Sequence, residues 1–337
     1  MKAKSYIVLI LLVFLFSCKK EKPEPAPDPE PPPPVGQNPL PSCQTIGPGP
    51  QPFGWKDSSI TEDENVNFFK AQAYQPGDFI YCVNGKIFPQ NRMYLYTYST
   101  QQRRYLGERD EYLPDLHSNG WMVFSKPDKN IYKIKLNGDS LTQLTGGGYY
   151  VNPQWDNSGQ YIYCFQQTTS LTVSCLLKMN AQGQYQTSYL TPYANTVISK
   201  DPDKVYLLNV LNNKLAVISK QLSTNSETLI TSSGIPLNGS QNDFFHLAID
   251  NNENFLYWSN ALGLFRCNIA SKQVDTLFKN CESITYLNPS ISENSEELTF
   301  CCKILKPLNS LVLYRQYRSF EYNLISKQWR ELDFFPN

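Results

Sequence analysis

From about residue 66 to the end, the chain is a succession of short runs rich in β-branched and aromatic residues, broken by Gly, Asn, Asp and Pro. Runs of this length bounded by turn formers read as β-strands. The clearest are Phe79-Ile-Tyr-Cys82, Trp121-Met-Val-Phe124, Tyr161-Ile-Tyr-Cys164, Val205-Tyr-Leu-Leu208, Phe255-Leu-Tyr-Trp258 and Leu298-Thr-Phe-Cys301, whose starts are 42, 40, 44, 50 and 43 residues apart. Each is followed by a second apolar run, such as Ile131-Tyr-Lys-Ile134 or Leu264-Phe-Arg-Cys267, and then by a shorter one, such as Gln143-Leu-Thr145 or Trp329-Arg-Glu-Leu332. A repeat of about 40 residues carrying about four strands is a propeller blade. Six repeats predict an all-β, six-bladed β-propeller; seven blades follow if residues 53–72 make a degenerate one. The run Val66-Asn-Phe-Phe-Lys-Ala71 precedes the first repeat. It is expected to cover the outer edge of the last blade beside Trp329-Arg-Glu-Leu332, because an unpaired apolar edge invites aggregation.

The first 52 residues lack this pattern. Lys2 and Lys4 precede an apolar run of 11 residues, Tyr6 to Phe16, too short for a stable transmembrane anchor. It ends in Leu15-Phe-Ser-Cys18, which resembles the lipobox of bacterial lipoproteins, although Phe16 is bulkier than that pattern prefers. The resemblance implies a signal peptide over 1–17 and lipidation of Cys18; an ordinary secretory signal with an incidental cysteine is the alternative. Lys19-Lys-Glu-Lys22 loosely resembles surface-export signals of Bacteroidetes lipoproteins. Thirteen prolines follow before residue 53, so 18–52 reads as an extended spacer, at about 3.1 Å per residue in polyproline II. A proline-rich recognition motif is the other reading. The folded domain is expected over 53–337.

Composition narrows the function. Thirty basic and thirty acidic residues cancel, which leaves no general basic face for nucleic acid. Aromatics reach 13% with 22 tyrosines, as half-buried strands favour.

The turns ahead of the second strands carry a further signal. Pro153-Gln-Trp155 with Asn157-Ser-Gly159, Pro114-Asp-Leu116 with Asn119-Gly120, and more loosely Pro289-Ser-Ile291 with Glu293-Asn-Ser295 resemble the TolB-type, WD40-like PD40 repeat. The blade around Ile249 lacks both Pro and Gly, and the one around Ile198 barely keeps the pattern. The resemblance spans roughly 70–333. It implies a propeller, and partners of the protein or peptidoglycan-associated kind; propellers host unrelated activities, so it assigns none.

Candidate chemistry is sparse. Of the two histidines, His117 falls in a turn and His246 just ahead of an inner strand. No Gly-x-Ser-x-Gly elbow is present, and Gly146-Gly-Gly148, read as a strand-to-strand turn, is not a phosphate loop. A calcium set of scattered Glu, Asn and Asp stays open. Among nine cysteines, Cys82, Cys164 and Cys301 occupy one equivalent position in three repeats and read as buried fillers. Cys43 and Cys281 fall in loop-like stretches and are open to pairing. Tyr149, Tyr150 and His246 are the candidate binding contacts at one mouth of the channel; plugging the blade junctions is the competing role for the two tyrosines. The sequence thus predicts a monomeric, membrane-tethered, extracytoplasmic module that binds an envelope protein or glycan without catalysis. It would be lipid-anchored in the cell envelope, at the outer membrane and facing either the periplasm or the surface. No cofactor, metal or nucleic acid is expected. The alternative is a lyase- or hydrolase-type enzyme using a channel-bound divalent metal.

Overall fold

The computed structural model describes residues 69–75, 78–83, 91–97, 100, 102–110, 114–167, 174–190, 196–211, 214–236, 247–260, 262–281, 284–292, 294–307 and 313–332. Cys18, the linker, the expected domain start at Phe53, and His246 lie outside them.

The apolar runs become strands where the pattern places them. The first sheet holds β1 (Phe69–Gln75), β2 (Asp78–Val83), β3 (Asn91–Thr97) and β4 (Gln102–Arg109). The second holds β5 (Asp115–His117), β6 (Trp121–Ser125), β7 (Ile131–Lys135) and β8 (Thr142–Gln143). The third holds β9 (Tyr150–Trp155), β10 (Tyr161–Gln167), β11 (Ser174–Asn180) and β12 (Tyr185–Leu190). The fourth holds β13 (Thr196–Ile198), β14 (Lys204–Leu211), β15 (Lys214–Gln221) and β16 (Glu227–Pro236). The fifth holds β17 (Leu247–Ile249), β18 (Phe255–Asn260), β19 (Gly263–Asn268) and β20 (Val274–Lys279). The sixth holds β21 (Ile284–Ile291), β22 (Glu297–Pro307), β23 (Leu313–Asn323) and β24 (Trp329–Leu332). Every sheet is a four-stranded meander, hydrogen-bonded in chain order.

The pleat explains why the second strands read as unbroken apolar runs. Alternate residues face opposite sides, and here both sides are covered. In β10, Ile162 and Cys164 pack with Val123 and Ile131 of the second sheet, while Tyr163 and Phe165 pack with Val205 and Leu207 of the fourth. In β18, Leu256 and Trp258 pack back onto Tyr206 and Leu208, while Tyr257 packs forward onto Leu298 and Phe300. Met93 and Leu106 join the first sheet to Met122, Phe124 and Ile134 of the second. Each such side chain contributes about 1.5–3 kcal/mol when fully buried. Burial also pushes the Cys164 thiol up to about 12.

The all-β propeller is therefore present. Its five blades from β5 to β24, stacked in chain order, fall short of the six that the repeats predict; the N-terminal sheet adds a further meander whose β1 lies against β21, β22 and β23. No seventh sheet stands among the described residues, all of which belong to one compact unit.

The expected closure is overturned. Phe69 to Ala71 pair with Tyr81 to Val83 inside β1's own sheet, and β24 pairs with β23 alone. The reason is architectural. In a stack of sheets every fourth strand is an outer edge, so the last blade has no special need of cover. β24 is four residues long and carries Arg330 and Glu331, the short, charged form that discourages edge pairing. Gly146 to Gly148 lie between β8 and β9, in a strand-to-strand connection as the sequence suggested, and this one joins two sheets.

Candidate functional site

A meander fixes what each face of the ring displays. Turns between first and second strands, and between third and fourth, emerge on one face. Hairpins between second and third strands, and the connections from sheet to sheet, emerge on the other.

On the first face the inner turns are locked to one another. His117, Asp156, Ser199, Asp250 and Ser292 hold equivalent positions at their starts. Asp156 Oδ1 accepts the Tyr161 amide at 2.8 Å, Asp250 Oδ1 accepts the Phe255 amide at 2.6 Å, and Ser292 Oγ accepts the Glu297 amide at 2.9 Å. Neighbouring turns are then bridged. His117 Nδ1 accepts the Asn119 amide at 3.2 Å, and its Nε2 donates to the Asn157 carbonyl of the next blade at 3.2 Å. The Tyr163 hydroxyl donates to the Pro202 carbonyl at 2.7 Å, Ser199 Oγ donates to Glu253 Oε1 at 2.8 Å, and the Asn251 amide donates to Ser295 Oγ at 3.1 Å. His117 thus serves the turn and the blade junction.

The hairpin face is different. Tyr149, in the connection from the second to the third sheet, is 36% exposed, and the Lys129 ammonium stands 4.9 Å from its ring centroid. Lys129, at the hairpin joining β6 to β7, donates to Asp110 Oδ2 at 2.6 Å, and the Asp110 side chain is fully buried. Beside them the buried Arg109 donates through one guanidinium nitrogen to the Asp110 carbonyl at 2.6 Å. Burial alone would push the Lys129 ammonium down; its hydrogen bonds to Asp110 and Tyr149 outweigh this and hold it above the ordinary lysine range. In the same hairpin the Tyr132 hydroxyl donates to Asp128 Oδ2 at 2.6 Å, and that carboxylate pushes the phenol up to about 12. Two further apolar side chains project from this face: Leu211 at the β14–β15 hairpin and Leu262 at the β18–β19 hairpin, 39% and 53% exposed.

Tyr150 takes another position. It opens β9, is half-buried, and packs in the cluster between the second and third sheets; its amide donates to the Lys129 carbonyl at 2.7 Å. So the two adjacent tyrosines serve opposite sides of one strand start. Sequence reading missed Arg109, Asp110, Lys129, Leu211 and Leu262. Pro127 in Lys126-Pro-Asp-Lys129 marks a tight turn, but nothing in the sequence pairs its lysine with residue 110. Among the described residues, no three His, Cys, Asp or Glu side chains stand together as a metal site.

No family model matches the chain, and no curated protein matches it. Solved structures do. A protein of Agrobacterium tumefaciens assigned to TolB superposes with a TM-score of 0.54 at 13% identity, over 71% of this chain and 87% of that one. Hydrazine synthase of Kuenenia stuttgartiensis gives 0.51 at 8% identity, over 83% and 99%. Oligogalacturonate lyase of Vibrio parahaemolyticus gives 0.45 at 10% identity, over 76% and 90%, a likeness too low to carry an argument. The two likenesses above 0.5 show the fold alone, a propeller. The first two carry unrelated names, so the fold assigns no activity here.

Proposed function

We propose that this chain is a six-bladed, lipid-anchored envelope propeller that binds a protein partner or a glycan through its hairpin face without catalysis. The observation that carries the binding reading is the Tyr149 ring on the hairpin face, held against the Lys129 ammonium that Asp110 anchors. Leu211 and Leu262 project from that face with it as exposed apolar groups; Leu141, Tyr185 and Ile325 stand exposed in outer turns of the opposite face, whose inner turns are bonded to one another. An aromatic ring held against an anchored ammonium is pre-ordered, so little conformational freedom is lost when a partner covers it. The sixth blade in this reading is the sheet of β1 to β4, which has the strand order of the other five. The anchor is Cys18, on the strength of Leu15-Phe-Ser-Cys18, with the proline-rich stretch to residue 52 as spacer.

Photocrosslinking in cells tests the face. A benzophenone side chain at position 262 is expected to give discrete adducts that Tyr149→Ala weakens. The same group at position 141, an exposed leucine in a turn on the opposite face, is expected to give none. Adducts from 141 with none from 262 would reverse the assignment.

A further inference from the structure

The junction between the second and third sheets gathers positive charge on the face where the inner turns emerge. His117, Trp121 and Lys135 stand opposite one another across β5, β6 and β7, and Lys133 lies on the same side of the pleat as Lys135. That side faces the third sheet, because Val123 and Ile131 on it pack with Ile162 and Cys164. The Lys133 ammonium stands 4.7 Å from the centroid of the Trp121 ring, and the Lys135 ammonium 5.4 Å. Lys133 also donates to the Ala181 carbonyl at 2.7 Å, in the turn between β11 and β12.

These charges are not balanced locally. Among the described residues neither lysine forms an ion pair. Asp115, on the same side of the sheet, accepts the Trp155 amide at 2.7 Å, and Asp139, in the turn after β7, accepts from the Asn137 side-chain amide at 2.7 Å. Burial holds the Lys133 ammonium below the ordinary lysine range, and no carboxylate offsets it. Two ammonium groups gathered on one ring disfavour each other's charge, and an anion between them relieves this.

Tyr185 supplies a second feature. It opens β12 directly after the Ala181 turn and is 60% exposed. It pairs with Met179, whose side chain packs against the second sheet. Directly opposed residues share a side of the sheet, so the Tyr185 ring belongs to the side of the third sheet that faces the lysines.

We propose that this junction binds an acidic polysaccharide, with Lys133 and Lys135 on the carboxylate of a uronate unit and Tyr185 against the apolar face of a sugar ring. The indole and the Ala181 carbonyl hold the ammonium groups before a ligand arrives, so less freedom is lost on binding. The exposed ring distinguishes a sugar from a bare anion, which has no apolar face to stack. This site is on the opposite face from Tyr149, Leu211 and Leu262 and does not rest on the hairpin-face reading.

The test is biosensor binding of the full-length chain, in detergent, to immobilised polygalacturonate and alginate. Binding is expected, and it should weaken as salt is raised. Lys135→Ala and Tyr185→Ala should each weaken it about two- to fivefold, the scale of one exposed contact, with thermal midpoints unchanged. Ile325→Ala, at an exposed turn residue of the sixth sheet, should bind as the wild type does. Methyl-esterified polygalacturonate keeps the sugar without the charge, and polyglutamate keeps the charge without the sugar; both should bind more weakly than polygalacturonate. No binding to either uronate polymer overturns the proposal. So does wild-type binding by the Lys135→Ala, Tyr185→Ala double variant, or binding of the ester, polyglutamate or single-stranded DNA as tight as that of polygalacturonate.

Discussion

Asp250 shows how single residues hold this architecture. It is 3% exposed, yet its carboxylate accepts the Phe255 amide at 2.6 Å and so closes the turn that starts the fifth sheet. Asp250→Ala would leave that amide without its partner in a dry place, at a cost of about 1–3 kcal/mol. Asp250→Asn keeps an oxygen at the same place and should lose much less. Urea titration followed by tryptophan fluorescence distinguishes the two; equal losses would mean that the turn does not depend on the acceptor. The PD40-like pattern made this turn readable in the blade of Asp156, between Pro153 and Gly159, though not in that of Asp250, which lacks both. The mouth cluster was not readable from any repeat. Asp110, Lys129 and Tyr149 come from three separate connections, and nothing repeats them.

At the scale of the element, the strands were legible because burial on both faces forces continuous apolar runs, and Tyr161 to Cys164 or Phe255 to Trp258 are unbroken ones. Edge strands were less legible. β8 keeps only Thr142 and Gln143, while β4 extends to Arg109, past the Leu106 at which its apolar run stops. An edge is half solvated, so its length is set by the neighbouring strand more than by its own composition. Close approach between blades adds a constraint that a repeat pattern hides. Gly183, between β11 and β12, has a φ of 85°, and a Cβ there would come within 2.5 Å of the Leu144 carbonyl oxygen of the second sheet. Gly183→Ala is therefore expected to destabilise the chain by more than about 1 kcal/mol, since strain in the folded form outweighs the smaller freedom of the unfolded chain. Thermal denaturation measures it, and a raised midpoint would show that the two sheets are not pressed together there.

For the whole molecule, the seam between first and last sheets is the decisive place. The sequence suggested that a strand from the N-terminal side would be hydrogen-bonded into the last blade; instead β1 completes its own sheet and meets the last by packing. Removing residues 1–77 takes β1 away and uncovers that side of β21, β22 and β23. Under reducing conditions the shortened chain is expected to melt lower and aggregate sooner, while removal of residues 1–52 leaves the midpoint where it was. Equal melting of the two would mean that β1 is dispensable to the ring. A ring in which no strand is shared between sheets among the described residues has a consequence for how its chain can be reordered. Each blade is an uninterrupted stretch of sequence, so no pairing depends on which blade comes first. Linking the present ends and opening the connection between β12 and β13 would cut no hydrogen-bonded strand pair. Such a circular permutant could fold to the same ring. Duplication or loss of a whole repeat would likewise change the circumference without rewriting any sheet.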